Sequence, residues 1–199
     1  MTRIAVLISG GGTNLQSLID AQTAGMFEDG EIVLVLSSKQ KVFAIQRAAD
    51  NGIPSVIVAR KDYHNLEDYD GAMRAELDRY HVDLVVLAGF LSILGPKVLG
   101  AYGGRILNIH PALIPSFCGK GFYGLHVHKA ALDYGVKVTG ATVHFVNEVV
   151  DGGKIVLQKA VDVMPDDTPE SLQLRVMEDA EHIILPQAVA MYCRGEIRG

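Results

Sequence analysis

The side chains best placed to do chemistry together are Asn108 and His110, one residue apart in Leu107-Asn108-Ile109-His110-Pro111. This run reads as the end of a β-strand. Alternate residues of a strand face the same side, so the amide and the imidazole converge while Ile109 turns to the core. Pro111 then forces the chain out of the sheet and exposes the pair. An Asn amide can donate to a developing oxyanion, and His is the usual acid or base near neutral pH. A structural histidine beside a turn asparagine would be spelled the same way. Asp151, in Asp151-Gly152-Gly153, is ordinary turn chemistry unless that turn folds over His110. There a carboxylate would raise the imidazole pKa and hold the ring protonated. Spacing alone does not bring the two together.

A second constellation is Ser9-Gly10-Gly11-Gly12-Thr13-Asn14, between an apolar run and an amphipathic segment. Glycines at a strand-to-helix turn let backbone N–H groups and a helix N-terminus face an anion. The dinucleotide fingerprint fails, because Leu15 occupies the third glycine position and the second strand ends in Ser37-Ser38-Lys39 without an acidic residue. No lysine follows in the Walker pattern. A mononucleotide or sugar phosphate is the better guess, with a tight turn capped by Thr13 or Asn14 as the plain alternative.

The other histidines carry less. His126 and His128 are separated only by Val127, with no carboxylate or cysteine at ligand spacing, so no metal site is expected. His144 shares a strand face with Thr142 and Val146 and could line the same cleft. His64 and His81 read as surface residues, and His182 sits beside Glu181 on the last helix. Cys118 and Cys193 have neither disulfide nor metal-pair spacing, and read as free thiols of a reducing compartment.

The elements that must position these groups alternate. Ile4–Ser9, Glu31–Ser37, Ser55–Ala59, Leu84–Ala88 and Arg105–Ile109 read as strands. Asn14–Ala24, Phe43–Asn51 and Glu67–Tyr80 read as amphipathic helices, with a short turn or helix at Pro96–Tyr102. Continuous apolar strands alternating with helices predict an α/β fold, a mostly parallel sheet covered on both faces. Pro111 to Gly124 is a long loop of the kind that is usually functional. After a helix near Val127–Tyr134, strands Gly140–Val146 and Lys154–Val163 are joined by a short turn, which predicts an antiparallel C-terminal pair. Thr168–Arg194 reads as one long helix, capped by Thr168, with Pro169 in its first turn and a kink at Pro186.

With 199 residues, 49% apolar and 21% charged, the chain is expected to form one domain with a sizeable core. A net charge of −5 without a basic cluster argues against a sequence-independent hold on nucleic acid. The longest apolar stretch, Leu84 to Pro96, is too short to span a bilayer, and the N-terminus is no signal peptide. The expectation is a cytoplasmic protein without membrane or nucleic-acid partners.

Five segments occur in order and at matching intervals: Gly10-Gly11-Gly12-Thr13-Asn14-Leu15 after its strand, Leu87-Ala88-Gly89-Phe90, Leu107 to Pro115, Gly124-Leu125-His126-Val127-His128 and Val149-Val150-Asp151-Gly152-Gly153. Together they resemble the folate-dependent phosphoribosylglycinamide formyltransferases (glycinamide ribonucleotide transformylases), over essentially the whole chain. The resemblance implies a Rossmann-like formyltransferase fold as one domain, residues 1–199. A mononucleotide-binding half would be residues 1–103, and a catalytic, folate-binding half residues 104–199. It implies transfer of formyl from 10-formyltetrahydrofolate to the amino group of glycinamide ribonucleotide, without metal. Asn108 and protonated His110 would stabilise the tetrahedral oxyanion, and Asp151 would raise the His110 pKa and order water. The ribonucleotide would lie on Gly11, Gly12, Thr13, Asn14 and Glu181. The folate would lie against Phe90, Leu91, Ser92, Ile93, Leu94, Asn108, Val146 and Asp151.

Two departures bear on the folate's anionic tail: Ser92 stands where an arginine is frequent, and Leu66 where a basic residue is frequent. Lys120, in an atypical Ser116–Tyr123 loop, could replace a lost basic contact. Rival readings are a formyltetrahydrofolate hydrolase, a methionyl-tRNA formyltransferase and an inactive paralogue. The first would carry an extra N-terminal domain and the second a basic RNA-binding C-terminal domain. The oligomeric state is left open between monomer and homodimer.

Overall fold

The computed structural model describes all residues, 1–199. The chain runs β1 (Thr2–Ile8), α1 (Thr13–Thr23), β2 (Gly30–Ser37), α2 (Phe43–Asp50), β3 (Ser55–Ile57), α3 (Leu66–Arg79), β4 (Leu84–Leu87), α4 (Pro96–Tyr102) and β5 (Ile106–His110). It continues with α5 (Leu125–Tyr134), β6 (Val138–Phe145), β7 (Ile155–Asp162), α6 (Pro169–Val176) and α7 (His182–Cys193). One seven-stranded sheet has the order β3-β2-β1-β4-β5-β6-β7. β1 to β5 pair in parallel, while β6 runs antiparallel to both β5 and β7.

The apolar runs of the sequence are continuous because both faces of the sheet are covered. Along β1, Ile4, Val6 and Ile8 face one core with Leu15 and Leu18 of α1 and Leu185 and Val189 of α7. Ala5 and Leu7 face the other, with Tyr69, Met73 and Leu77 of α3 and Val98 of α4. This is the two-residue period of a strand buried on both sides. No helix is long and apolar enough to cross a membrane.

The structure corrects several boundaries. β1 starts at Thr2 rather than Ile4, β3 has three residues rather than five, and β6 starts at Val138 rather than Gly140. The greatest difference is in the last helix. It is broken by a five-residue π turn, Met177–Glu181, between α6 and α7, and not by Pro186, which lies inside α7. The His182 N–H reaches back five residues to the Met177 carbonyl, so one extra residue is taken up in the turn. Thr168 does cap α6, in a reciprocal capping box with Ser171, with Pro169 in the first turn.

Candidate active site

The antiparallel register of β5 and β6 builds the centre of the site. Asn108 lies opposite His144 and His110 opposite Thr142. The Asn108 amide nitrogen is 3.0 Å from His144 Nε2, and His144 Nδ1 is 2.8 Å from the Phe145 carbonyl oxygen. A carbonyl only accepts, so Nδ1 carries a proton, while Nε2 lies between the Asn108 amide and the Asp151 carboxylate. His144 thereby fixes the amide and leaves its second hydrogen for a ligand. Beyond Pro111, the Thr142 hydroxyl donates to the Ala112 carbonyl and accepts from the Ile114 N–H, stapling the departing chain to β6.

His110 is buried and donates from Nε2 to the Phe117 carbonyl at 2.9 Å. Its Nδ1 is 3.6 Å from Asp151 Oδ2. The turn after β6 does fold over His110, with Asp151 in the left-handed region at φ 56. Such a conformation is uncommon for a residue other than glycine and collects at functional positions. Asp151 also accepts the Gly119 N–H at 2.8 Å, and its Oδ1 is 3.7 Å from His144 Nε2. One carboxylate therefore touches both histidines and the loop over them. Burial alone would raise its pKa, but the His144 contact, the Gly119 N–H and the charge of His110 outweigh burial and hold it below the usual value.

Asp151 raises the His110 pKa, as expected of a carboxylate there, and the Phe117 carbonyl acts the same way; burial pushes down harder, so the net direction is downward. With Nε2 holding its proton on Phe117, the second proton belongs at Nδ1, against Asp151.

These groups stand at the floor of a cleft of about 900 Å³. The Phe90–Leu94 segment also lines it, and there the Leu91 N–H donates to the Ser9 hydroxyl. Leu91 and Ile93 are exposed, as are Val149 and Val150 beside Asp151. Ser92, Leu94 and Val146 line the same cleft.

At its far end the glycine loop turns into α1. Gly12 has φ 74, and a Cβ there would come within 2.6 Å of Ala44 Cβ, so only glycine fits. α1 begins without a side-chain cap or an acidic residue in its first turn, which leaves its first N–H groups open to an anion. Asn14 and Glu181 line the cleft; Gly11, Gly12 and Thr13 do not, but precede Asn14 on the loop. The Thr13 hydroxyl and the Asn14 amide nitrogen already have acceptors. The Thr13 hydroxyl donates to the Met177 sulfur at 3.0 Å, and the Asn14 amide donates to Glu181 at 2.6 Å. Burial raises the Glu181 pKa, with Asn14 opposing. The π turn carries both Met177 and Glu181.

Sequence reasoning underweighted His144 and His128. His128, on α5, lines the cleft, is almost fully buried, and its Nδ1 has no partner. Burial, then the charge of His110, lowers its pKa from 6.5 to about 4. The unfolded chain therefore binds the proton first, and stability present above pH 6.5 is lost as pH falls toward 4. The loss reaches on the order of 3 kcal/mol. Urea midpoints measured from pH 7 to 4 are expected to fall less steeply in His128→Gln than in the native chain; identical slopes would remove His128 as the cause. No three side chains of His, Cys, Asp or Glu are arranged to hold a metal ion.

An α/β sheet with this constellation at strand carboxyl ends belongs to a known class: the chain is a member of the formyl transferase family, whose pattern matches residues 2–189. It is 41% identical over 198 residues to the phosphoribosylglycinamide formyltransferase of Haemophilus influenzae, covering 100% of this chain and 90% of that one. Within the family it belongs to the phosphoribosylglycinamide formyltransferases. The crystal structure of glycinamide ribonucleotide transformylase 1 from Symbiobacterium toebii matches with a TM-score of 0.92 and 40% identity, covering 98% of this chain and 89% of that one. The chain is also 45% identical over 194 residues to the trifunctional purine biosynthetic protein adenosine-3 of Drosophila melanogaster, of whose length it spans 14%.

Proposed function

We propose that this chain transfers the formyl group of 10-formyltetrahydrofolate to the amino group of glycinamide ribonucleotide. The observation that carries the reading is the meeting of Asn108, His110, His144 and Asp151 in one cleft whose other end is an uncapped helix N-terminus beside Glu181. The amine attacks the formyl carbon, a C–N bond forms, and the carbonyl oxygen becomes an oxyanion. The free Asn108 amide hydrogen and His110 donate to it. Collapse breaks the bond from carbon to the folate N10, which takes a proton, while the attacking nitrogen loses one. In its protonated form, with the second proton at Nδ1 against Asp151, His110 gives its Nε2 proton when an acceptor stronger than the Phe117 carbonyl arrives.

In this reading the ribonucleotide phosphate lies on Gly11, Gly12, Thr13 and Asn14, and Glu181 meets the glycinamide end. The folate ring lies against Phe90–Leu94 and Val146, a largely apolar wall. The half 1–103 supplies the phosphate loop and the half 104–199 supplies Asn108, His110 and Asp151, while the Phe90–Leu94 wall and Glu181 cross that division. The reading assigns no metal, no nucleic acid and no membrane partner.

The test is the absorbance change of folate deformylation, with and without glycinamide ribonucleotide. A rise only with the ribonucleotide supports the transferase. A rise without it means a hydrolase, and folate binding without any rise means an inactive relative.

For the folate's anionic tail, Lys120 lines the cleft from the loop over Asp151, whereas Leu66, at the start of α3, does not line it. Lys120→Ala is expected to weaken folate binding about two- to fivefold, as an exposed charge pair should. A fluorescence titration with unchanged affinity would discard this contact.

A further inference from the structure

We propose that Lys39 is the side chain that recognises the ribonucleotide's phosphate and sets the enzyme's demand for it, an inference that rests on the function proposed above. Lys39 is brought to the site by strand order. β1 and β2 pair in parallel with Ile8 opposite Ser37, so the segments that follow each strand lie side by side at the sheet's carboxyl edge. The Ser38 N–H donates to the Ile8 carbonyl, and the Ser38 and Ser9 hydroxyls are 2.6 Å apart. The Ser37 hydroxyl clamps the next turn, donating to the Lys39 carbonyl at 2.6 Å and accepting the Lys39 N–H at 3.2 Å. The Lys39 backbone is thus fixed beside the glycine loop while its side chain is exposed.

The cations around the site divide by their partners. Arg47 donates to the Gly11 carbonyl at 2.9 Å and to Gln16 at 3.0 Å, so it builds the glycine loop. Lys39 makes no ion pair and lines the same cleft as Asn14. The other Lys or Arg lining the cleft is Lys120, on the loop that bonds Asp151. Asn14 supplies an independent pointer to the ligand. It is 7% exposed, yet its side-chain oxygen has no hydrogen-bond partner. A buried acceptor of this kind asks for a donor, and the cation lining the same cleft asks for an anion. A ribose phosphate offers both, through a hydroxyl and a phosphate. A lysine ammonium is a mobile point charge suited to a phosphate already held by backbone N–H groups.

The experiment compares Lys39→Met and Lys39→Arg with the native enzyme. Glycinamide ribonucleotide and 10-formyltetrahydrofolate are varied in turn, and ribose 5-phosphate binding is measured by calorimetry. Lys39→Met is expected to raise KM for the ribonucleotide about tenfold, with kcat and the folate KM within about twofold. It should also flatten the salt dependence of kcat/KM for the ribonucleotide, and Lys39→Arg should restore most of the loss. An unchanged ribonucleotide KM, or a loss confined to kcat or to the folate KM, overturns the proposal. A native chain that turns over no ribonucleotide would sink the transferase reading instead. Calorimetry still decides the role of Lys39 in that case, since equal ribose 5-phosphate affinity in native and Lys39→Met chains overturns it.

Discussion

His110→Ala is expected to lower kcat by about a thousandfold, with both substrates still binding within a few-fold of native affinity. Loss of one oxyanion donor typically costs on the order of 100- to 1000-fold, and loss of a positioned general acid about 100- to 10,000-fold. A single side chain serves both ends, so the two losses overlap rather than multiply. Binding survives because the cleft walls come from other elements, the Phe90–Leu94 segment and the glycine loop. The replacement also strands the Phe117 carbonyl and leaves Asp151 without one of its neighbours. That costs on the order of 1–2 kcal/mol of stability, which thermal unfolding separates from the kinetic loss. Steady-state rates within tenfold of native would show that His110 is a structural residue.

Asp151→Asn should act through His110 and show it in the pH profile. The carboxylate raises the His110 pKa against a dominant burial effect. Without it the pKa falls further, and above that pKa each unit removes tenfold from the protonated fraction. Turnover at pH 7 is expected to drop about 10- to 100-fold and to recover toward native as pH is lowered through the His110 titration. Asparagine tolerates the left-handed backbone that Asp151 adopts, so the variant keeps the turn where alanine would add strain. NMR titration of the His110 ring gives the second readout. A pKa unmoved by the substitution would rule out this coupling, whatever the rate did.

The parallel half of the sheet was legible because burial on both faces leaves unbroken apolar runs such as Leu84–Leu87, which flanking helices and glycines delimit. The pairing of Asn108 with His110 was legible for the same reason, since a strand fixes which side chains share a face. Asp151 was legible as a candidate only, because its approach to His110 depends on a turn folding back across the sheet. His144 was harder. Its partnership with Asn108 exists only through the β5–β6 register, which no residue count reveals. His128 was read only as half of an unsupported metal pair with His126, because its place in the cleft depends on how α5 packs. The C-terminal segment misled by a residue. Leu172, Val176 and Ala180 keep a helical period, and Leu185, Val189 and Tyr192 keep another, offset by the π turn. Pro186 drew attention as the expected kink, and the π turn that interrupts the helix lies upstream of it.

Three consecutive residues, Phe117 to Gly119, bond both sides of the His110–Asp151 pair: a carbonyl on His110 and an N–H on Asp151. In the proposed mechanism, the loop's position and the readiness of the acid are therefore coupled. A shift of this short stretch would free the imidazole proton and unshield the carboxylate at once. On the proposed function, a change in the length of the Ser116–Tyr123 segment would then retune the chemistry without altering Asn108, His110 or Asp151.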